Sequence, residues 1–238
     1  MSVAAAIDSD GRIGASSRSR EEPPAFGVPI MVEVRGQRCF VAAGGHEGAT
    51  KAARLADLGA DVLVWATDEA SLRPLGVRPG IRLVVGTFDP SLVGGSRLAI
   101  VDTGDRWQNL EVADAARRRG ALVNTVDDIP LCDWSAPAIL RRGHLTISVS
   151  TGGEAPVLAV RVRDLIGEVI GAEYGELLAL LAELRPAITG SGRPFGERRR
   201  FWYELLDGPA LDATRSGDAA GAREALAGHL ADWLGERP

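Results

Sequence analysis

The chain has 238 residues, is 45% hydrophobic and 25% charged, and carries a formal net charge of −5. That composition belongs to a globular protein, excludes disorder of the whole chain, and leaves no apolar run near the ~20 residues of a membrane span. A pI of about 5.3 argues against broad attraction to nucleic acid, and two cysteines, Cys39 and Cys132, are too few for a disulfide framework or a thiolate metal cage.

The first 27 residues (MSVAAAIDSDGRIGASSRSREEPPAFG) are rich in Ser, Arg and Glu and show no sustained period. They are expected to form a mobile tail without a catalytic role. The opening apolar run is short and is followed at once by Asp8, Asp10 and Arg12, so no signal peptide is expected and the location reads as cytoplasmic.

From Pro29 the pattern is α/β. Residues 38–42 (RCFVA) form a short apolar strand, followed by a helical stripe over 46–58 built on Ala49, Ala52, Ala53, Leu55 and Ala56. Further strands are predicted over 61–66 (DVLVWA), 81–85, 98–101 and 122–126, with a helix over 109–119. Strands alternating with helices at this spacing predict a Rossmann-like, doubly wound parallel sheet. After Pro137 the character changes. Residues 144–150 (HLTISVS) alternate as a half-exposed strand does, and a helix is predicted over 156–170. Helices over 173–184, 197–206 and 218–234 complete an all-helical end. The expected organisation is a tail (1–27), a Rossmann-like domain (28–137), a small dimerisation domain (138–171) and a helical C-terminal domain (172–238).

Three places on this map can carry chemistry. The turn after the first strand, Ala43-Gly44-Gly45-His46-Glu47-Gly48, is a shifted glycine-rich dinucleotide loop, in which backbone N–H groups approach a pyrophosphate at a helix N-terminus. A plain strand-to-helix turn would use the same glycines. At the end of the second strand, Thr67 and Asp68 stand near the place of a ribose-binding acid, or cap the next turn; Trp65 beside them either stacks on a ligand or packs. At the carboxyl end of the fifth strand, Asp127 and Asp128 are candidates for acid–base work, or loop acids that cap. His46, His144 and His229 show no ligand spacing, so no dedicated metal site is expected. The run Arg198-Arg199-Arg200-Phe201-Trp202-Tyr203 suits either a carboxylate-rich planar ligand or a solvated helix face.

Residues 124–159 (NTVDDIPLCDWSAPAILRRGHLTISVSTGGEAPVLA) resemble the precorrin-2 dehydrogenase / sirohydrochlorin ferrochelatase family, which includes the N-terminal module of bifunctional siroheme synthases. Its motifs N-V-V-D-D, C-D-F, P-A, L-T-I-x-[IV]-S-T-G-G and x-P-x-L-A all have counterparts here. GERRRFW at 196–202 is similar to its C-terminal helical motif, Phe88-Asp89-Pro90 to its F-[DE]-x segment, and residues 44–60, including Lys51, to its glycine loop and following helix. The resemblance departs from the family at Ala43, at His46-Glu47, and at Val101-Asp102-Thr103-Gly104-Asp105, which stands for A-A-T-[DN]-[DN]. All three departures lie on the nucleotide side.

The resemblance implies an enzyme: NAD-dependent oxidation of precorrin-2 to sirohydrochlorin, an oxidoreductase acting on CH–CH, with sirohydrochlorin ferrochelatase (lyase) activity on Fe2+ as a second expectation. It implies a cofactor site at Gly44, Gly45, His46, Glu47, Gly48, Thr67, Asp68 and Thr103, and makes Asp127 the catalytic carboxylate, with transient metal contact at most. Substrate-side candidates are Ser150, Thr151 (at a serine phosphorylated in some members), Gly152, Arg141 and Arg198, with Arg142, Arg199 and Arg200 as further partners for a substrate bearing eight carboxylates. A homodimer is expected, built on the 144–150 strand and the helix after it, with neither nucleic acid nor membrane as partner. The alternative is a tetrapyrrole-binding chelatase or binding protein whose NAD site is degenerate.

Overall fold

The computed structural model describes residues 27–235. The tail expectation therefore lies, apart from Gly27, outside the described residues. The chain divides into two compact units after Ala136.

The first unit is a five-stranded parallel sheet: β1 (Arg38–Ala43), β2 (Asp61–Ala66), β3 (Ile81–Val85), β4 (Leu98–Asp102) and β5 (Leu122–Thr125), in the order β3-β2-β1-β4-β5. β1, β2 and β4 are almost wholly buried, as continuous apolar runs covered on both faces must be. Helix α1 (Gly48–Asp57) packs on one face through Ala52 and Leu55, against Val41, Ala43, Val64 and Ile100. Helix α2 (Arg106–Arg118) covers the other through Val112, Ala113, Ala115 and Ala116, against Phe40, Trp65, Val101 and Val123. Trp65 belongs to this second core: its ring is fully buried, 5.1 Å from that of Phe88, and its Nε1 donates to the Gly86 carbonyl at 3.0 Å. Its role is packing rather than stacking on a ligand. Because the strands run parallel, the loops after β1, β2, β4 and β5 share one edge of the sheet.

The second unit begins with an antiparallel hairpin of β6 (Ala138–Arg142) and β7 (Leu145–Val149), covered by α3 (Pro156–Val169). It continues with α4 (Glu173–Gly190), α5 (Phe195–Asp207), α6 (Ala210–Arg215) and α7 (Ala219–Leu234), around a core of Leu177, Ile188, Phe201, Leu205, Ala222 and Leu226.

Four differences from the sequence expectations have local causes. β6 is unexpected, because Pro137 and the terminal Arg141 and Arg142 hide its alternation. α4 runs past Leu184 and through Pro186, carried by the burial of Ile188 one turn on. α6 is too short to show a period. α2 begins three residues early, because the Asp105 carboxylate accepts from the Gln108 N–H at 2.8 Å and caps it there.

Candidate functional site

Every expected site residue of the first unit falls on the carboxyl edge of the sheet, where open parallel sheets bind ligands. The glycine loop follows β1, Thr67 and Asp68 follow β2, Thr103 follows β4 and Asp127 follows β5.

The glycine loop is shaped by its neighbour strand. Ala43 of β1 is in register with Asp102 of β4, and the Gly45 N–H donates to the Asp102 carbonyl at 2.7 Å. A Cβ on Gly44 would meet the Thr103 carbonyl oxygen, and one on Gly45 would collide with the Asp102 carboxylate. That carboxylate, on a residue only 5% exposed, accepts the N–H groups of Glu47 at 2.8 Å and Gly48 at 2.7 Å. These donors lie at the N-terminus of α1, where the helix field favours an anion. Ala43 itself needs no left-handed conformation. Beside it, Glu47 pairs with Lys51 at 2.9 Å, which holds the Glu47 carboxyl below its ordinary range.

The residue set fits a dinucleotide by one direct test: the loop already binds an anion. The Asp102 carboxylate stands in for a phosphate on the Glu47 and Gly48 amides, with glycines at 44, 45 and 48 keeping side chains out of the approach. Asp102 is the residue that sequence reasoning missed. Its one signal is an acid ending the buried strand Leu98–Asp102, within the segment that departs from the family pattern.

Around it, the other candidates hold turns. Asp68 accepts from the Ser71 N–H at 3.0 Å and from its hydroxyl, and these bonds lower its pKa. The Thr103 hydroxyl donates to Asn109 Oδ1 at 2.7 Å and accepts the Asp105 N–H at 3.2 Å.

The segment after β5 explains why Asp127 is presented. β5 is an edge strand, and its outer backbone groups are all met by residues of the motif. The Asp133 carboxylate accepts the Val123 N–H at 2.9 Å, and the Asp133 N–H donates to the Val123 carbonyl at 2.7 Å. The Cys132 thiol contacts both the N–H and the carbonyl of Thr125, and Trp134 Nε1 donates to the Leu122 carbonyl. Burial raises the pKa of that thiol. Arg117 braces Asp133 at 2.9 Å and reaches the Leu131 carbonyl. Most of the motif thus covers a sheet edge.

What it leaves at the tip is Asp127. Among the described residues it is the only non-glycine with positive φ, +58°, and its side chain is 80% exposed. Its carboxylate lies 3.8 Å from His46 Nε2 of the glycine loop. Asp128, the other candidate acid, is the less exposed of the two: its side chain is 16% exposed and accepts from Arg106 Nε at 3.1 Å.

In the second unit, Ser150 Oγ accepts the Gly152 N–H at 3.2 Å and Thr151 Oγ1 accepts the Ala155 N–H at 3.2 Å, so both shape the turn into α3. Gly152 and Gly153 both have positive φ there. Arg141 is exposed on β6. Arg142 is structural: it donates to the Ile170 and Gly167 carbonyls at the end of α3. Arg198 donates to the Thr189 carbonyl near the end of α4, and Arg199 lies over the Tyr203 ring. Among the described residues no group of three His, Cys, Asp or Glu side chains could hold a metal ion. Nor is any described helix long and apolar enough to cross a membrane.

Comparison with known proteins gives three consecutive matches to family models. Residues 30–138 match one described as putative NAD(P)-binding, 142–168 the sirohaem biosynthesis protein central region, and 173–230 the sirohaem synthase dimerisation region. The label of dimerisation thus falls on the helices after α3, one segment later than the expected 138–171. The chain is 37% identical over 204 residues to a siroheme synthase of Chromobacterium violaceum, covering 85% of this chain and 43% of that one. It is 39% identical over 200 residues to a siroheme synthase of Methylococcus capsulatus, covering 84% and 42%. It therefore spans less than half the length of these relatives. The solved structure of SirC, a precorrin-2 dehydrogenase, is similar in fold with a TM-score of 0.66 and 20% identity, over 85% of this chain and 98% of that one.

Proposed function

The chain belongs to the family of the siroheme synthase module, with its NAD(P)-binding, central and dimerisation regions in order, and from that premise we propose that it oxidises precorrin-2 to sirohydrochlorin with NAD+. The observation that carries the reading is Asp127, an exposed carboxylate held out in a left-handed conformation at the carboxyl edge of the sheet, beside the glycine loop.

Bound nicotinamide supplies the hydride acceptor. The macrocycle loses one hydride and one proton, and the products are sirohydrochlorin, NADH and H+. Asp127 accepts the proton and returns it to water, a step for which an exposed carboxylate suffices. His46 Nε2 of the glycine loop lies 3.8 Å from that carboxylate, which places the acid beside the cofactor loop. The amides of Glu47 and Gly48 would hold the pyrophosphate, and Thr67, Asp68 and Thr103 would border the rest of the dinucleotide. Arg141, Arg198, Arg199 and Arg200 of the second unit remain guanidinium candidates for carboxylate recognition in their own right. If Fe2+ is then inserted, it enters as substrate and Asp127 carries away pyrrole protons.

The assembly is read as a homodimer. The match to a dimerisation region supports this, as do exposed apolar side chains on α3 (Val157, Leu158 and Val169) and on β6 (Ile139).

One observation favours a second reading, a chelatase or tetrapyrrole-binding protein with a degenerate nucleotide site: Asp102 already sits on the loop amides. Anaerobic absorbance assays with precorrin-2, with and without NAD+, and with sirohydrochlorin and Fe2+ separate the two. Sirohydrochlorin formed only with NAD+ supports the dehydrogenase. Metal insertion into supplied sirohydrochlorin, with no NAD+-dependent oxidation, supports the second.

A further inference from the structure

We infer that Asp102 is an internal competitor of the cofactor, a side chain that must leave the loop amides before a dinucleotide pyrophosphate can settle on them. The inference rests on the cofactor reading given above and deepens it.

Three features of the geometry carry it. First, the occupied donors are those of the cofactor loop itself: Glu47 N–H at 2.8 Å and Gly48 N–H at 2.7 Å converge on one carboxylate oxygen, Oδ2. Second, the other oxygen, Oδ1, is packed against Gly45, in the space a Cβ there would fill. The carboxylate therefore fills the face of the loop that glycines leave open. Third, Asp102 is buried and held from both sides by its own backbone, with its carbonyl taking the Gly45 N–H at 2.7 Å and its strand in register with Ala43. Its position is built into the sheet rather than sampled by a surface side chain.

One set of amides cannot serve two anions. A pyrophosphate approaching while the carboxylate stays would lose these two donors and meet a like charge in a poorly solvated place. Binding must instead include rotation of Asp102 away from the α1 N-terminus, and the apparent affinity is lowered by the fraction of protein in that rotated state. The same carboxylate caps α1 in the free protein, so ligand-free stability and cofactor affinity are opposed through one residue.

Calorimetric titration of NAD+, and separately of inorganic pyrophosphate, into the wild-type chain, Asp102→Ala and Asp102→Asn tests this. Asp102→Ala removes the competitor and is expected to bind NAD+ at least tenfold more tightly, about 1.4 kcal/mol. Asp102→Asn keeps the shape without the charge and is expected to fall between. Pyrophosphate should follow the same order. Thermal unfolding without ligand should show Asp102→Ala melting lower than wild type, and added NAD+ should raise its midpoint more than it raises the wild-type midpoint. If Asp102→Ala proves too unstable to titrate, Asp102→Asn carries the test alone. Equal or weaker NAD+ affinity in the variants, with saturable wild-type binding, overturns the competitor role and leaves the cofactor reading intact. Absence of saturable NAD+ binding in all three proteins overturns both.

Discussion

His46 Nε2 lies 3.8 Å from the carboxylate of Asp127, so the glycine loop after β1 and the acid after β5 meet across the carboxyl edge of the sheet. The two side chains are 70% and 80% exposed, which makes their pairing weak as a stabilising contact. Its value is positional: a proton acceptor is placed beside the loop that would hold a dinucleotide, in a segment whose neighbouring polar side chains are engaged, Asp128 with Arg106, and Cys132 and Asp133 with the edge of β5.

Asp127→Asn should leave the fold intact and lower precorrin-2 turnover by ~10²-fold or more, the scale of general acid–base assistance. Asn tolerates the left-handed conformation as Asp does, so the thermal midpoint should not move. Asp128→Asn is the contrasting variant. It loses the Arg106 pair and should cost stability by up to about 1 kcal/mol while turnover stays near wild type. Steady-state rates and melting curves on the two proteins check this; a shared small effect on rate would make Asp127 a turn residue.

Asp133→Ala should destabilise the first unit by about 1–3 kcal/mol, because the Val123 N–H loses its acceptor beside a buried strand. The Arg117 pair is about one-third exposed on each side and adds little to that figure. Urea unfolding should show a lower midpoint at unchanged slope. Turnover should fall as well, since the segment presenting Asp127 is anchored there. A stability equal to wild type would remove the edge-covering role assigned to this motif.

The Glu47–Lys51 pair gives a pH dependence of known sign. The Lys51 ammonium holds the Glu47 carboxyl below its ordinary value, so the folded state binds that proton less readily than the unfolded chain. The pair's contribution is present above the unfolded value of about 4.3 and is lost as pH falls through the lower folded one. Glu47 is half exposed, which keeps the effect below about 1 kcal/mol. Melting curves of wild type and Glu47→Gln should differ at pH 6 and converge as pH falls through the lowered Glu47 value; a difference that grows on acidification would contradict the pairing.

The parallel sheet was legible because a strand covered on both faces must be apolar throughout: 61–66 was read with the boundaries of β2, and 98–101 as all but the last residue of β4. The carboxyl-edge placement of Asp127, Thr67, Thr103 and the glycine loop followed from that sheet. Asp102 was not legible as an anion on the loop, because its role depends on the β1–β4 register that sets it opposite Ala43. The exposures of Asp127 and Asp128 were hidden for a related reason. Adjacent acids look alike in sequence, and only the positive φ at Asp127 turns one outward and leaves the other to Arg106. Arg142 was read for its charge, whereas the carbonyls at the end of α3 determine its use.

The most direct test of the central claim is the stoichiometry of an anaerobic reaction with precorrin-2 and NAD+, followed by absorbance of both products. One NADH should form for each sirohydrochlorin, with no oxidation when NAD+ is omitted. Sirohydrochlorin appearing without NADH, or no oxidation by a folded chain that binds the macrocycle, would contradict that claim.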